Sequence, residues 1–142
     1  MGWHGDHLHA FDIDGRQYGE RGTVDDVADE DRLILMGLVK SRITRFIYRY
    51  DFGDDWEHAV IIEKIQSPIE GKSYPACVGG KRNCPPEDCG GIWGYENLLK
   101  IIADPTHPEH AEQIEWLGRE FDPKEFSAEF ADTMLAAQFT RK

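Results

Sequence analysis

Alternation of apolar and polar residues is clearest between Thr44 and Phe52. Aromatic residues occupy every second position there, and charged residues fill most of the positions between them. Successive side chains of a strand point to opposite faces, so this run predicts a half-buried antiparallel strand. After a turn at Gly53, the alternating run from Trp56 to Glu63 completes a hairpin.

An earlier run, from His7 to Ile13, also alternates, and the Asp14-Gly15 pair predicts a turn into a further strand. The acidic stretch over residues 20–31 has few large apolar residues and is expected to be a loop. The short apolar run from Leu33 to Val39 fits either a strand or a helix.

Apolar residues in the second half recur at helical spacing. The first predicted helix covers Tyr95 to Ala103, and a second is expected to begin at Pro108 and to end before Gly118. The segment from Asp122 to Glu125 resembles a capping box, which predicts that a third helix begins there. Its apolar stripe would comprise Phe126, Phe130 and Met134.

Strands followed by helices predict an α+β fold, with an antiparallel sheet built from hairpins in the N-terminal half and packed by about three helices from the C-terminal half. The length of 142 residues suits one hydrophobic core, so residues 1–142 are interpreted as a single domain. Within it we distinguish a strand-rich segment (1–66), a loop containing the CPPEDC motif (74–91) and a helical segment (92–140).

The amino-acid composition limits the classes of partner that the chain can bind. The chain has 16 Lys and Arg against 27 Asp and Glu, a formal net charge of −11, so no general nucleic-acid binding is expected. The basic stretch from Lys40 to Arg49 alternates like the exposed face of a strand. No apolar run approaches the roughly 20 residues of a membrane helix, and the first ten residues have neither the basic region nor the apolar stretch expected of a signal peptide. We expect a cytoplasmic protein whose partner is another protein or a small molecule.

Three cysteines, an odd number, argue against a disulfide framework. Their spacing is wider than in common zinc motifs, where paired cysteines lie about two to four residues apart. Histidines on strand faces can complete a site with an open position for Zn or Fe. The candidate metal ligands are His7, His9, His58, Cys77, Cys84 and Cys89, and the candidate catalytic acids or bases are Asp54, Glu87 and Asp88.

The segment GGKRNCPPEDCGG, residues 79–91, fits three interpretations. Its two prolines restrict φ and its closing glycines permit positive φ, which favours a rigid connector. Its cysteines and acids allow a metal site. Its first four residues, Gly79 to Arg82, allow a nest of N–H groups that binds an anion.

Taken in order, the segments HLHAF, YDFGDDWEH, YPACVGGKRNCPPEDCGG, GYENLL, DPTHPEH, EW and FDPKEF resemble the plasmid ORF-3-like family, whose members are also described as passenger proteins of insertion elements. The resemblance covers residues 2 to about 126. It implies an α+β domain with no established catalytic assignment. The polar positions that recur in the family pattern correspond to His7, His9, Asp54, Trp56, His58, Cys84, Pro85, Pro86, Glu87, Asp88 and Gly91.

The resemblance departs from the family at one point. Family members usually carry a further strand and helix before the segment similar to MGWHGDHLHAF. Either the gene start is set too far downstream or this protein lacks that unit. In the second case we expect an uncovered sheet edge and an uncovered apolar helix site, and we predict a homodimer that covers the gap.

These residues are compatible with two functions. The first is a small, non-enzymatic binding or accessory protein associated with mobile elements, with an unknown protein or small-molecule partner. The second is a metal-dependent hydrolase or nuclease-like enzyme that uses the histidines, Cys84 and the loop acids.

Overall fold

The computed structural model describes residues 2–23 and 27–139. These form two compact units. We call the first the sheet unit; it contains residues 5–23, 27–66 and 90–92. We call the second the loop–helix unit; it contains residues 2–4, 67–89 and 93–139. The interpretation of the chain as one domain stays a prediction.

The sheet unit contains five strands. They are β1 (His9–Ile13), β2 (Arg16–Gly19), β3 (Ala28–Asp29), β4 (Arg45–Tyr50) and β5 (Trp56–Ile61), in the spatial order β3-β2-β1-β4-β5. The β1–β2, β1–β4 and β4–β5 pairs are antiparallel, whereas β2 and β3 are parallel. The sheet is therefore mixed, and the prediction of a purely antiparallel sheet is wrong at this short edge strand.

The alternation in β4 and β5 sets which side chains share a face. Tyr48 is paired with His58 and Phe46 with Val60, so the rings of the two strands lie on one side of the sheet. Tyr50, which is 2% exposed, and Ile13, which is 4% exposed, form part of the core. The hairpin predicted from the sequence is confirmed.

Two short helical elements follow β3. A single 3-10 turn spans Glu30–Arg32, and helix α1 spans Leu35–Lys40. The side chain of Asp29 accepts a hydrogen bond from the backbone N–H of Asp31 at 3.1 Å, which caps the turn. The predicted loop over 20–31 thus contains β3 and the start of this turn, while residues 24–26 lie outside the described part of the chain.

Three helices lie in the C-terminal half of the described chain: α2 (Gly91–Ala103), α3 (His110–Leu117) and α4 (Ala128–Phe139). The α+β class is confirmed by this order of strands and helices. Leu98 and Ile101 of α2 are buried. Helix α3 ends at Gly118, whose φ of 63° is the left-handed conformation typical of a helix end.

The third helix begins later than the capping-box pattern predicts. The Asp122 side chain accepts the backbone N–H of Lys124 at 2.9 Å in a local turn, and Ser127 Oγ accepts the N–H of Phe130 at 3.1 Å. Ser127 therefore caps α4. The expected apolar stripe is exposed in part, with Phe130 66% and Met134 50% exposed.

None of the helices within residues 2–23 and 27–139 has the length and apolar character needed to cross a membrane.

Candidate functional site

The sequence-predicted ligands are divided between the two units. His7, His9 and His58 belong to the sheet unit, whereas Cys77, Cys84 and Cys89 belong to the loop–helix unit. The candidate acids divide as well, with Asp54 in the sheet unit and the other two in the loop–helix unit, namely Glu87 and Asp88.

His9 is held against the 3-10 turn. Its Nε2 lies 3.1 Å from Glu30 Oε1 and 3.0 Å from Oε2. Only Oε1 has the geometry of a hydrogen bond, and the buried Oε2 accepts none from the part of the chain that the structure describes. We read the pair as one hydrogen bond reinforced by charge when the imidazole is protonated, because the ring nitrogen faces both oxygens. The contact ties β1 to the turn.

His58 is oriented by the neighbouring strand. Its Nδ1 lies 3.2 Å from the backbone carbonyl oxygen of Tyr48. A carbonyl only accepts, so Nδ1 carries the proton and Nε2 is the basic nitrogen of the neutral ring. The Tyr48 ring is 5.7 Å from the His58 ring and 5.8 Å from the His9 ring, and it contacts both.

The phenol of Tyr48 has a raised pKa. Burial is the main cause, and the negative charge of Glu30 adds to it. Tyr48 is therefore a protonated hydrogen-bonding group at neutral pH and not a source of negative charge.

His7 lies beside the carboxylate of Asp51. Its Nδ1 lies 3.6 Å from Oδ2 of Asp51, and its ring contacts Tyr50 edge-on at 5.8 Å. Asp51 is 8% exposed and has a φ of 55°, in the left-handed region. Its Oδ1 accepts the backbone N–H of Gly53 at 2.9 Å, which closes the turn between β4 and β5.

Each histidine of the sheet unit thus directs one ring nitrogen at an oxygen, a pattern typical of oriented metal ligands. The candidate ligands of the sheet unit do not come together at one point. Among the described residues of the unit, no three of them place their donor atoms within 4.8 Å of one another. The donor atoms of His9 and Glu30 lie close together. Two protein ligands are fewer than the three or four that zinc sites use.

The candidate acids serve as acceptors for backbone N–H groups. Asp54 Oδ2 accepts the N–H of Gly90 at 3.1 Å, and Glu87 Oε1 accepts the N–H of His4 at 3.0 Å. Asp88 is exposed and has a φ of 56°. Two of the three acids therefore fix loop backbone, a role that needs no substrate.

The cysteines have separate environments in the loop–helix unit. Burial raises the pKa of the half-buried Cys84 thiol, so it is protonated at neutral pH. The backbone N–H of Cys77 donates to the carboxylate of Asp132, and its thiol lies 3.7 Å from the carbonyl oxygen of Gly79. Within this unit, the described cysteines and acids do not supply three ligands within 4.8 Å.

Hydrogen bonds hold the CPPEDC loop along its length. Trp3 Nε1 donates to the Pro85 carbonyl at 2.9 Å, and the backbone N–H of Asn83 donates to the Pro123 carbonyl at 3.1 Å. A Cβ on Gly80 would lie 2.5 Å from the Phe126 ring, so this glycine permits close packing of the loop. These contacts favour the connector over the metal and anion interpretations.

The sheet unit contains a cavity that was not predicted from the sequence. It has a volume of about 500 Å³ and is lined by the end of β1, by β2, by the segment from Arg32 to Leu38, and by Ser41 and Ile43. At its edge, the apolar residues Ile34 and Leu35 are 69% and 61% exposed. That exposed apolar run before a short helix was the available signal, but an apolar run alone does not reveal a concave surface.

The loop–helix unit contains a second cavity, of about 660 Å³, lined by apolar side chains of α2 and α3 and by the segment after α3. Leu99, Ile102 and Phe121 are among its lining residues.

Residues 1–130 match the family described as "Plasmid pRiA4b ORF-3-like protein". A curated relative from Sinorhizobium fredii (strain NBRC 101917 / NGR234), described as uncharacterized protein y4hQ, is 37% identical over an alignment of 150 residues that covers 100% of this chain and 76% of the relative. The crystal structure of MM3350 from Methanosarcina mazei Go1, a protein of unknown function, is similar with a TM-score of 0.82 and 38% identity, over 91% of this chain and 75% of that one.

The chain therefore belongs to the plasmid ORF-3-like family, and the resemblance in its motifs is confirmed. The fold is shared with the solved relative. The descriptions of these relatives name no ligand and no reaction.

Proposed function

We propose that this protein is a non-enzymatic binding domain that holds a small-molecule ligand in the cavity of the sheet unit. The observation that carries the proposal is the cavity itself. Its volume of about 500 Å³ lies within the usual range of ligand pockets, about 300–1,000 Å³.

The cavity combines an apolar floor with polar groups at few positions. Ile13 is buried, and Leu38 and Ile43 add apolar surface, whereas Asp14, Arg16 and Arg32 supply charge. Ligand sites in proteins have this composition, because apolar contact supplies affinity and a few polar groups supply orientation. The use of Asp54 and Glu87 as acceptors for loop N–H groups supports binding over catalysis.

An accessory role on mobile elements is part of the proposal, and its support is the family description, which refers to a plasmid.

The test uses Gly37, which lines the cavity from α1 and has open space where a Cβ would be. Gly37→Leu adds a bulky side chain at a residue that lines the cavity and raises helix propensity. Neutral phenyl naphthylamine, a fluorescent apolar probe, should bind the wild type at least tenfold more tightly than Gly37→Leu, while the variant stays folded. Equal binding to both proteins would reject the cavity as the site.

A metal-dependent hydrolase is the second candidate, favoured by the oriented histidines of the sheet unit. A bound Zn or Fe ion would supply an activated water. Elemental analysis of protein purified without a histidine tag should then give about one equivalent of metal per chain, and a chelator should lower its melting temperature. His58→Ala should abolish both effects. A metal content near zero after growth in supplemented medium would reject this candidate.

A further inference from the structure

The cavity of the sheet unit carries two arginines in a strongly acidic protein. Arg16 and Arg32 both line it, together with a single carboxylate, that of Asp14. The charged lining therefore sums to one positive charge, whereas the whole chain has a net charge of −11. Two guanidinium groups against one carboxylate in the lining favour an anionic ligand over a cationic one.

The two guanidinium groups differ in how firmly they are held. Arg16 Cζ lies 5.3 Å from the centroid of the Tyr18 ring, a cation–π contact with another residue of the cavity. A guanidinium in a cation–π contact keeps its N–H donors, which can bind an anion. Arg32 Nε lies 3.7 Å from Asp29 Oδ2, and its side chain is 83% exposed. This long, exposed contact can yield to a ligand at little cost.

Apolar surface lies beside these cations. Ile13 is 4% exposed, and Leu33, Leu38 and Ile43 complete the apolar part of the lining. A small inorganic anion would leave this surface unfilled. A neutral apolar molecule would leave the guanidinium groups without a counter-charge.

We infer that the ligand of this cavity is an organic anion, with an apolar body on the surface of Ile13, Leu38 and Ile43 and an anionic group bound by Arg16 and Arg32. The inference rests on the binding function proposed above. Carboxylate, sulfonate and phosphate groups share the chemistry that the arginines recognise, because all three accept paired N–H donors.

The test compares two probes that share an aromatic body. Anilinonaphthalene sulfonate carries an anionic group, and phenyl naphthylamine is its neutral counterpart. Binding is measured by fluorescence titration for the wild type, Arg16→Gln and Arg32→Gln, and only binding that Gly37→Leu removes is counted. This correction matters because the second cavity offers an apolar site for the same probes. Circular dichroism checks that each variant is folded.

We expect each arginine variant to weaken sulfonate binding about fivefold and to leave binding of the neutral probe within twofold of the wild type. If both probes bind with equal affinity and neither arginine matters, the anion inference is wrong while the binding cavity stands. If Gly37→Leu affects neither probe, the inference and the proposed function both fail.

Discussion

The strongest structural prediction concerns two helical glycines that differ in their surroundings. A Cβ built on Gly94 of α2 would lie 1.9 Å from the carbonyl oxygen of Cys89, the last residue of the CPPEDC motif. A Cβ built on Gly37 of α1 would meet nothing within 4 Å. The same change to alanine should therefore have opposite effects at the two positions.

The size of each effect follows from two terms. Alanine is better than glycine in a helix by about 0.5–1 kcal/mol, a gain that applies at both sites. At Gly94 the loop carbonyl must also move by about 1 Å or more to reach an ordinary contact, and overpacking of this kind costs about 1–3 kcal/mol. Because the obstacle is backbone, we take the upper end of that range. Gly94→Ala should lose about 2 kcal/mol, and Gly37→Ala should gain about 0.5–1 kcal/mol.

Urea unfolding followed by circular dichroism measures both variants against the wild type. The urea concentration at the unfolding midpoint should be lowest for Gly94→Ala, intermediate for the wild type and highest for Gly37→Ala. A Gly94→Ala protein as stable as the wild type would show that the loop does not approach α2 as closely as described, and the connector interpretation would lose its main packing contact.

Three further predictions test other parts of the account. Asp54→Ala removes the acceptor for the Gly90 N–H and should lower the free energy of unfolding by about 1 kcal/mol. Asp54→Asn keeps an acceptor and should lower the free energy of unfolding less. Equal losses in the two variants would argue against this role of Asp54. Because burial raises the pKa of Cys84, its alkylation rate in a Cys77→Ser, Cys89→Ser background should have its pH midpoint above that of the urea-unfolded protein, as followed by mass spectrometry; identical midpoints would contradict a buried thiol. The predicted homodimer should sediment as a dimer at micromolar concentration, and a monomer would reject it.

The hairpin of β4 and β5 was predictable because both strands alternate, and the short turn between them sets the register. Pairing of Tyr48 with His58 follows directly from that register. The parallel contact of β2 with β3 was not predictable. It involves two residue pairs, so it leaves no periodic pattern, and it depends on where the chain returns after an acidic stretch.

Candidate residues were easier to find than their roles. The acids and histidines could be identified by residue type, but Asp54 bonds a backbone N–H and His58 bonds a backbone carbonyl, partners that every residue offers. The capping-box prediction was wrong because the Asp122 carboxylate bonds the Lys124 N–H in a turn that does not continue as a helix, and α4 begins at Ala128. The cavity is lined by residues that are distant in sequence, from Ile13 to Ile43, and residue patterns do not specify that proximity.

The most direct test of the account is to map the bound probe on the protein. Amide nitrogen–proton correlation spectra of the wild type and of Gly37→Leu are recorded during titration with anilinonaphthalene sulfonate. The account predicts saturable shifts at the amides of Arg16, Tyr18, Gly37 and Ser41, all residues of the cavity, and no such shifts in the variant. Shifts confined to other parts of the chain, or shifts at these amides that persist in Gly37→Leu, would contradict a ligand site in the sheet unit.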